Sequence, residues 1–236
     1  MDIVEHLNRK PTASLPLLGH TVLLVEDSRF TCEAVRLLCL KSGARIRRAD
    51  TILHARQHLR VYRPSVVIVD LGLPDGAGED LIEELNKARP RVDVILATSG
   101  DRFGEDRAIA AGADGFLAKP ITSLAEFQIA ILDHLPYDRR PQGPRALSDE
   151  QVQPDPIALQ DDLALVADAL IDAKSGGQID YLAQFVGSIA ISTKDPALSR
   201  IVAELTVARA SQQPIAPPLS RLAAEVHQRL LNARTL

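Results

Sequence analysis

The sequence predicts an α/β fold: a five-stranded parallel sheet wound on both faces by helices, followed by a small all-α region. Three observations carry this. Short apolar runs alternate with amphipathic stretches from Thr21 to Leu135. Two of the runs, Thr21–Val25 and Val66–Val69, are apolar at every position bar the first threonine, as strands buried on both faces must be. After a proline-rich segment the texture becomes purely helical.

Each element has its own signal. Thr21–Val25 is the first strand, and the helix after it runs to about Ser42, with Gly43 as its stop. Ala44–Arg48 is a second strand, polar enough to lie at an edge. Thr51–Tyr62 is helical. Val66–Val69 is the third strand and ends on Asp70. Gly78–Arg89 is helical, Val92–Ala97 is the fourth strand, and Glu105–Ala111 is a short helix stopped by Gly112. Gly115–Ala118 is the fifth strand and Ser123–Leu135 the fifth helix. Strands alternating with helices over short loops give a doubly wound, flavodoxin-like sheet.

Residues 1–19 form an N-terminal extension, in which Ile3, Val4 and Leu7 are free to face a partner or a neighbouring helix and Pro11 and Pro16 break any longer element. Residues 20–137 form the α/β domain. Residues 138–154 read as an exposed linker, with prolines at 136, 141, 144, 154 and 156 among polar side chains. Residues 155–236 read as a helical bundle with four apolar stripes. They are Leu159, Leu163, Val166, Leu170 and Ala173, closed by Gly176-Gly177; Ile179, Leu182, Phe185 and Ile189; Leu198, Ile201, Leu205 and Ala208; and Leu219, Leu222, Val226 and Leu230. Asp155-Pro156 and Asp195-Pro196 read as helix starts.

Composition excludes some functions. No stretch approaches the roughly 20 apolar residues of a membrane span, and the start of the chain lacks a secretory pattern, so a cytoplasmic protein is expected. Net charge is −4, and residues 155–236 hold seven Lys/Arg against nine Asp/Glu. Without a basic recognition helix, nucleic acid is an unlikely partner. Cys32 and Cys39 share a helical face and read as small buried residues. His54 and His58 stand one turn apart with no third ligand in sight, and His227 lacks the small residues that follow a phosphotransfer histidine.

In a doubly wound sheet the chemistry sits beyond the carboxyl ends of the strands. Those positions hold Glu26 and Asp27, then Asp70, then Thr98 and Ser99, then Lys119 and Pro120. Three crowded carboxylates raise one another's pKa unless a cation relieves them. An all-oxygen donor set suits Mg²⁺ rather than zinc. A carboxylate can then serve as nucleophile toward phosphorus, with Lys119 and a hydroxyl of Ser99 or Thr98 around the transferring group.

The segments VLLVEDS (22–28), VIVDLGLPDGAG (67–78), VILATSGD (94–101) and AGADGFLAKPI (111–121) resemble, in order and spacing, the receiver domains of two-component response regulators, the chemotaxis-regulator-like fold. The resemblance implies roles. Asp70 is the phosphoacceptor. Glu26, Asp27, Asp70 and the Gly72 carbonyl are the Mg²⁺ ligands. Lys119 binds phosphate, and Lys119-Pro120 is a cis peptide. Ser99 is preferred over Thr98 as the switch hydroxyl, with Phe116 as the switch aromatic. Apart from the resemblance, position alone, two residues past Ser99, places Asp101 to influence how water reaches the acyl phosphate.

The expected function follows. Asp70 takes a phosphoryl group from a sensor histidine kinase or phosphotransfer protein, and the chain signals by phosphorylation-dependent protein contacts or homodimerisation. It catalyses only its own phosphorylation and dephosphorylation. Two alternatives stay open: a phosphorelay or phosphate-sink intermediate, and a DNA-binding transcriptional regulator.

Overall fold

The computed structural model describes residues 10–101, 103–172 and 175–233. Ile3, Val4, Leu7 and Ala173 lie outside the described residues. The chain forms two compact units; the body of the first ends at Pro154 and that of the second begins at Asp155.

The first unit runs β1 (Thr21–Val25), α1 (Arg29–Ser42), β2 (Arg45–Ala49), α2 (Ile52–Val61), β3 (Val66–Asp70), β4 (Gly72–Leu73), β5 (Gly76–Ala77), α3 (Gly78–Lys87), β6 (Val94–Ser99), α4 (Gly104–Ala111), β7 (Gly115–Ala118) and α5 (Leu124–Leu132). The main sheet has five strands in the order β2-β1-β3-β6-β7, and every neighbouring pair is parallel. The order reverses at β1, which opens a crevice beyond the carboxyl ends of β1 and β3.

Successive side chains on a strand face opposite ways. Val22, Leu24, Val66, Ile68, Val94 and Leu96 therefore pack with Val35 and Leu38 of α1 and Phe127 and Ile131 of α5. Leu23, Val25, Val67, Val69, Ile95 and Ala97 pack with Ala55, Leu81, Ile82 and Ala108 of α2, α3 and α4. Double burial is why these strands read as unbroken apolar runs. The edge strand β2 instead exposes Arg45, Arg47 and Arg48; charged side chains there discourage pairing with another chain.

Several boundaries differ from the sequence reading. β6 begins at Val94 rather than Val92 and runs through Thr98 and Ser99. The fifth helix spans Leu124–Leu132, with Ser123 as its cap accepting the Glu126 amide. The two-residue pair β4 and β5 is a small antiparallel hairpin too short to leave a period in the sequence. Leu17, in the extension, is wholly buried in the core of the first unit. The linker is not simply exposed either, since Val152 is 4% exposed and belongs to the same core.

The second unit is α6 (Pro156–Asp172), α7 (Gly176–Ser192), α8 (Pro196–Ala210) and α9 (Ala216–Ala233). α6 packs on α7 and α9, and α8 packs on the same two, closing a four-helix arrangement. Its core is drawn from the four expected stripes, including Leu163, Val166, Phe185, Ile189, Leu205 and Val226. Asp195 caps α8 through the amides of Ala197 and Leu198. Gly176-Gly177 does not close α6; it opens α7. Ser175 accepts the Gln178 amide and Gln178 accepts the Ser175 amide, a reciprocal cap that fixes a helix start. No helix among the described residues is long and apolar enough to cross a membrane.

Candidate functional site

The carboxyl ends of β1, β3, β6 and β7 bring six chemically active residues to one edge of the sheet. Glu26 and Asp27 follow β1, Asp70 ends β3, Thr98 and Ser99 end β6, and Lys119 follows β7. The Lys119 ammonium lies 2.8 Å from Glu26 Oε2 and 2.9 Å from Asp70 Oδ2, and its side chain is wholly buried. Carboxylate oxygens of Glu26, Asp27 and Asp70 all lie within 4.8 Å of one another, the one such group of possible metal ligands among the described residues. The Lys119-Pro120 peptide is cis, as expected.

The electrostatics follow from burial and crowding. Burial pushes the Glu26 carboxyl well above the usual carboxylate range; Asp70 and Asp27 push it further, and Lys119 opposes them. Burial works against the Lys119 charge, but Asp70 and Glu26 together hold its ammonium above the ordinary lysine range. Among the described residues, three carboxylates and the Lys119 ammonium meet here, and crowded carboxylates favour a bound cation. The donor set is oxygen only, close enough to converge on one small ion, and fits a hard divalent cation.

Asp70 is held from its own loop as well. The Gly72 amide donates to Asp70 Oδ1 at 3.4 Å, and the Gly78 amide donates to the Leu71 carbonyl at 3.1 Å. Sequence reading took Gly78 only as a helix start. A Cβ there would stand 2.1 Å from the Asp70 carbonyl oxygen, so only glycine lets α3 approach the backbone that carries Asp70. Asp75 is a second residue whose role went unread: its carboxylate caps α2 by accepting the amides of Ile52 and Leu53, both at 2.9 Å.

The two neighbouring hydroxyls point to different places. Thr98 is paired with Asp70 across β3 and β6 and shares the sheet face of Val94 and Leu96. It is fully buried, and its hydroxyl has no hydrogen-bond partner among the described residues. Ser99 lies on the opposite face. Its hydroxyl accepts the Asp101 amide at 3.0 Å, and a Cβ on Gly104 would stand 3.0 Å from Ser99 Cβ and 3.3 Å from the Phe116 ring. Ser99 and the half-buried Phe116 thus both approach Gly104 at the start of α4, whereas Thr98 is paired with Asp70. Asp101 forms an ion pair with Arg107 at 3.1 Å.

The remaining candidates lie elsewhere. His54 Nδ1 is 2.5 Å from Asp50 Oδ1 and His58 Nε2 is 3.1 Å from the Arg48 carbonyl, both on the surface. His227 is exposed on α9. Cys32 and Cys39 are free and buried, and burial pushes the Cys39 thiol up to about 12, which leaves it inert at neutral pH.

Residues 22–131 match the family model described as the response regulator receiver domain. The chain is 31% identical over 99 residues to the KDP operon transcriptional regulatory protein KdpE of Escherichia coli, covering 42% of this chain and 44% of that protein. It is 35% identical over 104 residues to the probable transcriptional regulatory protein TcrX of Mycobacterium tuberculosis, covering 43% and 44%. The matches thus span less than half the length of these relatives. Among solved structures, it is similar to a putative response regulator from Chloroflexus aurantiacus at 28% identity and a TM-score of 0.45, covering 48% of this chain and 98% of that one.

Proposed function

We propose that this chain, whose residues 22–131 are a receiver domain of the response regulator family, takes a phosphoryl group on Asp70 and signals through phosphorylation-dependent protein contacts. One observation carries the reading: a buried ammonium bridges two of three converging carboxylates at 2.8 and 2.9 Å, an arrangement that stability alone does not favour.

An Asp70 oxygen attacks the phosphorus of a phosphohistidine donor, the nitrogen–phosphorus bond breaks, and an acyl phosphate forms. Mg²⁺ held by Glu26, Asp27, Asp70 and the Gly72 carbonyl would supply charge compensation for the phosphoryl oxygens. Lys119 exchanges its bond with Asp70 for one with a phosphoryl oxygen. Thr98 donates its hydroxyl to the same group; its register with Asp70 favours it over Ser99, the residue preferred on sequence. Phe116, which like Ser99 approaches Gly104 at the start of α4, is the aromatic that responds. Reversal by water is the only other reaction, so the chain is not otherwise an enzyme.

The donor is a sensor histidine kinase or a phosphotransfer protein in the cytoplasm, and the helices α6–α9 dock a partner or a second copy. The curated relatives are named as transcriptional regulators, which supports DNA binding as a second reading. Their matches cover 42% and 43% of this chain, so more than half of it lies outside them. A gel shift with strongly salt-dependent retardation would favour DNA.

The test is incubation with Mg²⁺ and beryllofluoride, followed by sizing. Wild type should take up the mimic and change its assembly, and Asp70→Asn should do neither. Wild type that takes up no beryllofluoride ends the proposal.

A further inference from the structure

The segment Glu150–Val152 is bound to the first unit by a small set of contacts. Gln151 forms an antiparallel bridge with Ser123. The Leu124 amide donates to the Glu150 carbonyl at 3.0 Å, and the Val152 amide donates to the Thr122 carbonyl at 2.9 Å. The Thr122 hydroxyl donates to Gln151 Oε1 at 2.7 Å. Lys41 pairs with Glu150 at 2.6 Å, and Val152 is buried in the core beside α1 and α5. The receiving stretch, Thr122–Leu124, begins three residues after Lys119.

We propose that Glu150–Val152 is a latch on the β7–α5 turn whose closure is set by the phosphorylation state of Asp70. This rests on the reading of Asp70 given above. The mechanical path is short. Lys119 is tied at its side chain to Asp70 and at its amide to the Ser99 carbonyl, 3.1 Å away. The Thr122 amide closes a turn onto the Pro120 carbonyl at 3.1 Å, and Ile121 and Leu124 are buried. Residues 119–124 therefore move as one piece. When the ammonium follows the phosphoryl group, the carbonyl and amide that hold the latch move with it.

Such a segment belongs to the low-stability end of the fold, since a few hydrogen bonds and one buried side chain hold it.

Hydrogen exchange on the full chain tests this, with and without Mg²⁺ and beryllofluoride, and with binding of the mimic followed separately by fluorine NMR. The amides to follow are Leu124 and Val152, the two backbone donors of the latch. Beryllofluoride should speed their exchange about tenfold, and Asp70→Asn should abolish the effect. Val152→Asp should give the fast rates in both states while still binding the mimic. If the mimic binds and both amides keep their rates, the latch is refuted while the reading of Asp70 stands. If the mimic does not bind, both fall. Amides that stay slow in Val152→Asp also overturn the latch.

Discussion

The crevice at the strand ends and the interior of the α6–α9 unit are both sheltered from water, yet they are built from opposite materials. The crevice buries Glu26, Asp70, Thr98, Ser99 and Lys119. The helical interior is Leu, Ile, Val, Phe and Ala. Apolar burial contributes favourably wherever it occurs. Buried charge is tolerable only when paired, and replacing a buried pair with apolar residues is often neutral or stabilising. A polar interior is therefore a mark of chemistry, and an apolar one a mark of folding.

The largest expected effect tests the polar side of this contrast. Lys119→Met leaves two carboxylates buried without their shared partner and should cost about 3–5 kcal/mol in metal-free buffer, read by urea unfolding. Mg²⁺ should restore part of the loss. A loss below ~1 kcal/mol would mean the crevice is effectively hydrated, and the contrast would fail.

The apolar side is tested next. Leu205 is wholly buried in α8, and Leu205→Ala should cost about 2–5 kcal/mol through lost burial and a cavity. Beryllofluoride uptake at Asp70 should not change. Loss of uptake would show that the helical core, too, serves the site.

Where the two materials meet, geometry matters more than polarity. Gly78→Ala sets a methyl group against the Asp70 carbonyl, and should cost about 1–3 kcal/mol. Because the strain falls on the residue carrying the nucleophile, uptake of the mimic should weaken too. A variant destabilised but with unchanged uptake would separate the α3 approach from the placement of Asp70.

The same contrast explains what could be read from the sequence. β1 and β3 were legible because burial on both faces leaves runs such as TVLLV and VVIV. Glu26, Asp27, Asp70 and Lys119 were legible because each ends or follows a strand, where this topology gathers ligands. Thr98 and Ser99 were not separable, because adjacent residues face opposite sides and only the pairing of β3 with β6 says which stands beside Asp70. Val152 was invisible: one apolar residue among prolines and polar side chains has no period. Gly176-Gly177 misled because glycine marks a helix stop, while the informative pair was Ser175 and Gln178.

The smallest effect is a slope with pH, and it probes a polar group buried away from the chemistry. His20 is 6% exposed, with Nε2 3.0 Å from the Arg139 carbonyl. Burial lowers its pKa; the Arg139 carbonyl and Asp93 oppose the shift, and the Arg139 charge adds to it. The folded chain thus prefers the neutral imidazole, while the unfolded chain takes up a proton near the ordinary value of about 6.5. The contribution of His20 to stability is whole above that value and declines as pH falls through it toward the lowered folded value. His20→Gln keeps a donor for the carbonyl but cannot titrate, so the stability difference between wild type and variant should shrink from pH 8 to pH 5 in urea unfolding. A difference that stays flat, or grows toward acid, would mean the imidazole is charged in the fold, and that even outside the crevice this unit buries charge rather than avoiding it.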